Sequence, residues 1–288
     1  MKTSFNDIFK TISTCSHSPK DSSYKIIKKV ASKLAEYSFG QNGKSPDTFG
    51  PFGPLILPYC SMGNVSSTNL FDLDELIIFS FYWFNRQRYH NVADIGANIG
   101  LHSIIMSKCG YDVNSYEPDP KHFVTFEKNL TLNNCRSVKA HNKAVSDKSG
   151  TSEFIRLLDN TTGSHLAGAK CNPYGGMQKF TVELESSTSA FDNCDLIKVD
   201  AEGHEKQILL NIGALTWEKL DALVEVGSLE NANAIFSHFT YLGINLFAQL
   251  HNWQRVVTAE QMPKSYKDGS LFITSKSSMP WPDTPENF

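Results

Sequence analysis

The chain has 288 residues, enough for one large domain or two small ones with a sizeable core. Hydrophobic residues make up 40% and charged residues 20%, a balance that excludes a disordered chain. The net charge of −3 offers no surplus of positive charge to nucleic acid, so no nucleic-acid partner is expected.

Cys15, Cys60, Cys109, Cys135, Cys171 and Cys194 are scattered, and none forms a C-x-x-C pair. They read as reduced thiols of a cytoplasmic protein rather than as a zinc or redox motif. Residues 1–20 hold no apolar core of the signal-peptide type. The strongest apolar run, "LIIFSFYWF" at 76–84, is about half the roughly 20 residues that a spanning helix needs. It reads as a buried helix.

In chain order, residues 1–40 carry a weak helical pattern, with Ile26, Ile27, Val30, Leu34 and Tyr37 at helical spacing. Glycines and prolines then impose turns and extended chain over 39–58. A helix is expected over 69–84, capped by Asn69 or Asp72, with Asp74 and Glu75 at its positive end. From residue 91 strands and helices alternate. "NVADIG" is a strand, and a helix follows with Leu101, Ile104, Ile105 and Cys109 inward, stopping at Gly110. "DVNSYEP" is a second strand. Asp119 and Pro120 open a helix with Phe123, Phe126 and Leu130 on its face. "VKAHNKAVS" (138–146) is a third strand. Next come "DLIKVDA", a helix over 204–213, "DALVEVG", a helix over 230–243, and the closing strands "INLFAQL" and "GSLFITS". This alternation predicts an α/β fold with a parallel sheet covered on both faces, its last two strands antiparallel at one edge. Residues 147–190 are an insertion of two strands around a loop. Residues 1–85 form an N-terminal extension, a cap or a dimerisation element, ahead of the domain at 86–288.

The question is what "DIGANIG" (94–100) binds. Ligands of parallel sheets sit beyond the carboxyl ends of the strands. Gly96 and Gly100 let backbone approach a ligand, and the following helix points N–H groups at it. The dinucleotide fingerprint G-x-G-x-x-G fails, because Asn98 and Leu101 stand where two glycines belong. The P-loop pattern is absent too. What remains is D-x-G-x-N-x-G with Glu117, 21 positions beyond Gly96, ending the second strand. A carboxylate there can accept both hydroxyls of a ribose. Asp94 repels pyrophosphate and attracts a cation. S-adenosylmethionine, with its ribose, adenine and sulfonium, meets these requirements.

The stretches "VADIGANIGLHSIIMSKCGYDVNSYEPDPKHFVTFEKNLTLNN" and "DLIKVDAEGHEKQILLNIG" resemble the FkbM family of S-adenosylmethionine-dependent methyltransferases. The D-x-G-A-N-x-G loop, the Y-E-P-x-P after the second strand and the K-x-D-x-E-G-x-E after the fourth occur in order, with Ala201 in place of the usual branched residue. The resemblance covers residues 91–275. It implies a class I methyltransferase (Rossmann-like) sheet of seven strands in order 3-2-1-4-5-7-6. It also implies O-methylation of a sugar or other small hydroxylated metabolite, in glycan or natural-product biosynthesis. By the same implication Asp94, Gly96, Ala97, Asn98 and Gly100 line the methionine and ribose side, Glu117 holds the ribose, and Asn142 and Ala144 flank the adenine.

"DAEGHE" (200–205) is the richest cluster of polar side chains. An alcohol must lose its proton as it is methylated, and a positioned base contributes about 10²–10⁴-fold. His204 has a suitable ordinary pKa, near 6.5. Asp200 and Glu202, with Glu205, can orient it, bind the acceptor or act as base. Read singly, Gly203 needs only to allow a tight turn, and the acids favour a helix N-terminus. The same cluster could hold a Mg²⁺-type cation. The ligands would crowd into six residues with no second acidic pair, so no metal is expected. His165 reads as a loop histidine, with a lid over the substrate as the alternative. His102 reads as packed or hydrogen-bonded near the cofactor loop. A nitrogen acceptor is disfavoured by the lack of an N-P-P-Y-type tetrapeptide. A nicotinamide enzyme is disfavoured by the missing glycines. A cofactor-binding subunit without transfer activity is the remaining rival.

Overall fold

The computed structural model of the protein describes residues 4–170 and 175–281. Cys171 lies outside the described residues, and the other five cysteines are free thiols. Among the described residues no helix is long and apolar enough to cross a membrane.

Three helices come first: α1 (Phe5–Ile12), α2 (Ser22–Phe39) and α3 (Leu73–Phe84). The Asp72 carboxylate accepts the Leu73 N–H and caps α3, while Asn69 belongs to a separate short turn at Ser67–Phe71. Of the α2 side chains at helical spacing, Ile27 and Leu34 are partly buried against the core. Ile26 and Tyr37 are each 65% exposed, and Val30 is exposed as well. The buried positions are Tyr24, Ala31, Ala35, Ser38 and Phe39. Two alanines, with Ile27 and Leu34 packed beside them, let the helix sit close against its neighbours.

From residue 91 the elements alternate. They are β1 (Asn91–Ile95), α4 (Leu101–Lys108), β2 (Asp112–Tyr116), α5 (Pro120–Leu132) and β3 (Val138–His141). The insertion carries β4 (Ala144–Ser146), β5 (Gly150–Leu157), β6 (His165–Leu166) and β7 (Met177–Ser186), then the single turn α6 (Ser187–Ala190). The chain continues with β8 (Leu196–Val199), α7 (Glu205–Leu209), β9 (Asp221–Glu225), α8 (Leu229–Tyr241), β10 (Asn245–Ala248), β11 (Gln254–Arg255) and β12 (Ser270–Thr274).

The main sheet runs β3-β2-β1-β8-β9-β12-β10-β11. Its seven longer strands, counted along the chain, stand in the order 3-2-1-4-5-7-6. The two-residue β11 adds an eighth at the β10 edge, and β12 lies antiparallel between β9 and β10. Two expectations are corrected. Residues 138–146 are not one strand: β3 stays in the main sheet, and β4 joins a second sheet of order β4-β7-β5-β6. The Asn142 amide breaks the line by donating to the Glu117 carbonyl at 2.8 Å and the Pro118 carbonyl at 3.2 Å. The helix expected over 204–213 is the five-residue α7.

Alternation along the strands divides the core in two, because successive side chains point to opposite faces. Val92, Leu196, Leu223 and Phe272 face a layer built from α1–α4 and α5. Ala93, Ile197, Val224 and Ile273 face a layer that includes α7 and α8. Residues 5–84 thus share one core with α4 and the sheet.

The insertion is anchored at both ends of its inner wall. Arg156 on β5 donates to Asp119, the cap of α5, from Nε at 2.6 Å and from Nη2 at 2.5 Å. Both side chains are buried. On the other side Asn64 donates to the Asp159 carbonyl at 2.6 Å, and Thr161 donates to the Met62 carbonyl at 3.1 Å.

Candidate active site

Parallel register sets the site. Ile95 pairs with Tyr116 on β2 and with Val199 on β8, so Gly96, Glu117 and Asp200 leave the sheet together at one edge. Gly96 and Ala97 both donate to the Tyr116 carbonyl at 3.0 Å, and Asp200 donates to the Ile95 carbonyl at 3.0 Å. These bonds tie the three loops around one open-mouthed cleft.

Of the residues singled out in the sequence, Gly96, Asn98, Glu117, Ala144, Asp200, Glu202 and His204 line this cleft. Asp94, Ala97, Gly100 and Asn142 stand behind its wall. Asp94 is fully buried, accepts the Ser103 hydroxyl at 2.6 Å and braces the loop to α4. Ala97 is buried under the β2 edge. Gly100, with φ 89°, caps α4 where a Cβ would meet the Phe126 ring at 2.1 Å. Asn142 holds the Glu117–Pro118 carbonyls in place.

Gly96 has φ 78°, and a Cβ there would lie 1.9 Å from the Asp200 carbonyl oxygen. Gly96→Ala is therefore expected to force the first and fourth strand loops apart, at a cost of about 1–3 kcal/mol for the backbone strain alone. Thermal unfolding with and without S-adenosylhomocysteine checks this; the variant should melt earlier and gain nothing from the ligand.

Glu117 is buried, and each of its oxygens accepts one backbone N–H, Oε2 from Asn98 and Oε1 from Asp119, both at 2.8 Å. Each oxygen keeps a lone pair for a further donor. Burial pushes the carboxyl up to about 8, against the two N–H bonds that favour its charge.

The rim is strained as well as charged. Glu202 sits at φ 51°, a left-handed conformation that a glutamate rarely adopts. Its carboxylate takes the Lys170 ammonium at 2.5 Å. Burial and the neighbouring Asp200 push Glu202 up to about 7, with Lys170 opposing. Asp200 faces the Lys198 ammonium at 3.5 Å, and its other oxygen has no partner. Burial opposes the charge of Lys198, but Asp200, Asp94 and Glu75 outweigh it and raise its pKa. Glu205 is a brace: fully buried, it accepts the Gly203 N–H at 2.7 Å and the Asn231 amide, fixing the turn onto α8.

His204 caps α7 with its ring 2.9 Å from the Ser146 hydroxyl. Ser146 donates to Asp147 at 2.9 Å, so it accepts from His204 Nε2–H. The lone pair is left on Nδ1, which is buried without a partner. Burial lowers the imidazole below its ordinary value, with Asp147 opposing.

His102 bonds Glu75 at 2.7 Å and Tyr82 at 3.0 Å behind the first loop, away from the cleft. His165 is corrected: it is a buried strand residue on β6, and it lines the cleft. Sequence reasoning passed over Arg156, Lys170 and the Thr161–Thr162 pair. Lys198 alone carried a signal, as the lysine two positions before Asp200. Among the described residues no group of three or more acidic, histidine or cysteine side chains is placed to hold a metal ion.

A sheet in order 3-2-1-4-5-7-6 with its cleft across the ends of the first, second and fourth strands is the class I methyltransferase fold. The family profile described as the methyltransferase FkbM domain matches residues 94–257, more than half of the chain, and the chain belongs to that family. It is 28% identical over 163 residues to methyltransferase sdnD of Sordaria araneosa, a match covering 44% of this chain and 62% of that protein. It is 23% identical over 155 residues to methyltransferase 1 of Beauveria bassiana, covering 46% of this chain and 62% of that protein. The chain thus spans less than two thirds of either relative. Among solved structures it is similar to a METTL16 methyltransferase domain lacking its N-terminus, at 10% identity and a TM-score of 0.42, over 88% of this chain and 97% of that one.

Proposed function

We propose that this protein is an S-adenosylmethionine-dependent O-methyltransferase acting on a sugar or other small hydroxylated metabolite. The observation that carries the reading is the set of unsatisfied acceptors around one cleft. Glu117 keeps a lone pair on each oxygen, and Asn98 Oδ1 and Asp200 Oδ1 are buried without partners. Buried polar atoms are normally paired, so this set fits a ligand rich in donors. Ribose hydroxyls and an α-ammonium group supply such donors.

When bound, the cofactor would supply an electrophilic methyl group on a sulfonium. The chain's own residues do the rest. Glu117 accepts the ribose hydroxyls. Asn98 and Asp200 face the amino-acid end, and the carboxylates of the rim favour a positive ligand. Glu202, held by Lys170, orients the acceptor hydroxyl. His204 Nδ1, a free lone pair on a neutral ring, takes the hydroxyl proton. Positioning the nucleophile near the methyl supplies much of the rate.

Calorimetric titration with S-adenosylhomocysteine tests the cofactor reading. Micromolar binding is expected, weakened in Glu117→Ala; no binding by the intact chain would overturn it. Glu117 adds a sign. Its pKa of about 8 lies above the unfolded value of 4.5, so the free protein loses stability as pH rises from 4.5 through 8. The ribose needs the carboxylate form. Binding at pH 7 should therefore release a proton, seen as different heats in buffers of different ionisation enthalpy, and Glu117→Gln should abolish that difference.

A further inference from the structure

We propose that His165, supplied by the inserted sheet, reads the base of the bound nucleoside by accepting a hydrogen bond from the 6-amino group of adenine at Nε2. The inference rests on the cofactor reading above and deepens it.

His165 is 1% exposed and lines the cleft. Its Nδ1 lies 3.0 Å from the Gly163 carbonyl oxygen. A carbonyl cannot donate, so Nδ1 carries the proton. Burial lowers the pKa of the ring, against the Gly163 bond and with the help of Lys170, so the ring is neutral at pH 7. The lone pair is then on Nε2, and Nε2 is buried with no partner.

The neighbouring polar side chains of the inserted wall each have a partner. Thr161 Oγ1 meets His122 at 2.9 Å, Thr162 donates to Asn160 at 2.6 Å, and Ser164 donates to the Thr161 carbonyl while accepting the Leu157 N–H. His165 Nε2 differs from them in being buried with no partner at all. The cleft also presents apolar residues, Ala144, Val145, Phe154 and Leu166, of which Phe154 and Leu166 are cross-strand neighbours on one face of the inserted sheet. Such an apolar surface suits the face of a planar ring. With the ribose on Glu117, the base would have β4 and the insertion, which line the same cleft, to rest on. An N9-substituted adenine carries one hydrogen-bond donor, its 6-amino group. A neutral acceptor in the same cleft as this apolar surface selects that group and rejects a 6-oxo purine, whose oxygen would face another lone pair.

The test compares S-adenosylhomocysteine with S-inosylhomocysteine, which replaces the 6-amino group by an oxygen. The intact protein should prefer the adenine compound by about 10- to 100-fold, the range of a lost buried hydrogen bond. His165→Leu should bind the two alike, chiefly through weaker binding of the adenine compound. Equal affinity of the intact protein for both compounds would overturn the proposal without any substitution. So would full retention of the preference in His165→Leu, or in His165→Phe should the leucine variant fail to fold. Failure of the intact protein to bind either compound would overturn the cofactor reading itself, and this inference with it.

Discussion

Replacing His204 with alanine is expected to lower the turnover of methyl transfer by about 10²–10⁴-fold, the contribution of a positioned base. Affinity for S-adenosylhomocysteine should stay nearly unchanged. Turnover is read as S-adenosylhomocysteine formed with a hydroxylated acceptor. The expectation rests on the hydrogen-bond chain from His204 Nε2 through Ser146 to Asp147, which leaves the lone pair on Nδ1. Glu202 is the competing base, and the pH profile separates the two. A base must be deprotonated to act, so the rate rises with pH through its pKa. Burial lowers His204, placing that rise below its ordinary 6.5. Burial and Asp200 raise Glu202 to about 7, placing the rise there. A rise near 7 that survives in His204→Ala would move the role to Glu202 and leave His204 as part of the wall. Ser146→Ala refines the point, since it frees Nε2 and unlocks the tautomer.

The parts of the site legible in the sequence are those whose logic is local. Gly96, Asn98 and Glu117 follow directly on strands, and one register brings them to one edge. Asp119 and Pro120 announce the start of α5 within two residues. Where the reading went astray, a distant partner decided. His165 looked like a loop residue because its strand has two residues and pairs with β5 ten positions back, Ile155 opposite His165. Lys170 meets Glu202 across 32 positions, and Lys198 meets the Gly96 carbonyl across 102. No periodicity reports such contacts. Asp94 and Gly100 belong to the same short motif as Gly96, yet they serve the loop from behind. The sequence pattern marks residues the loop needs without separating those that touch a ligand from those that shape the backbone.

The largest effect on stability is expected from Arg156→Ala. Asp119 and Arg156 form a two-pronged pair with both side chains buried. Burial alone would raise Asp119, but the Arg156 bonds, with His122 and the Lys121 N–H, hold it below its ordinary value. Removing the arginine leaves a buried carboxylate with its main partner gone, a change that costs about 3–5 kcal/mol. Asp119 also caps α5 and forms part of the cleft wall, so the damage reaches the ligand. Chemical denaturation measures the loss, and the pH dependence gives its origin. A carboxylate with a depressed folded pKa stabilises above its unfolded value, about 3.8, and that share fades as pH falls through the folded one. In Arg156→Ala this acid-side loss should shrink. The double variant Asp119→Asn with Arg156→Met should recover much of the stability, because no charge is then left unpaired in the interior. If Arg156→Ala costs less than about 1 kcal/mol, the value typical of a solvent-exposed pair, the inserted sheet is anchored elsewhere. The bonds from Met62 and Asn64 to the Asp159–Thr161 turn would then carry the wall, and shortening that N-terminal loop should weaken binding in place of the arginine substitution.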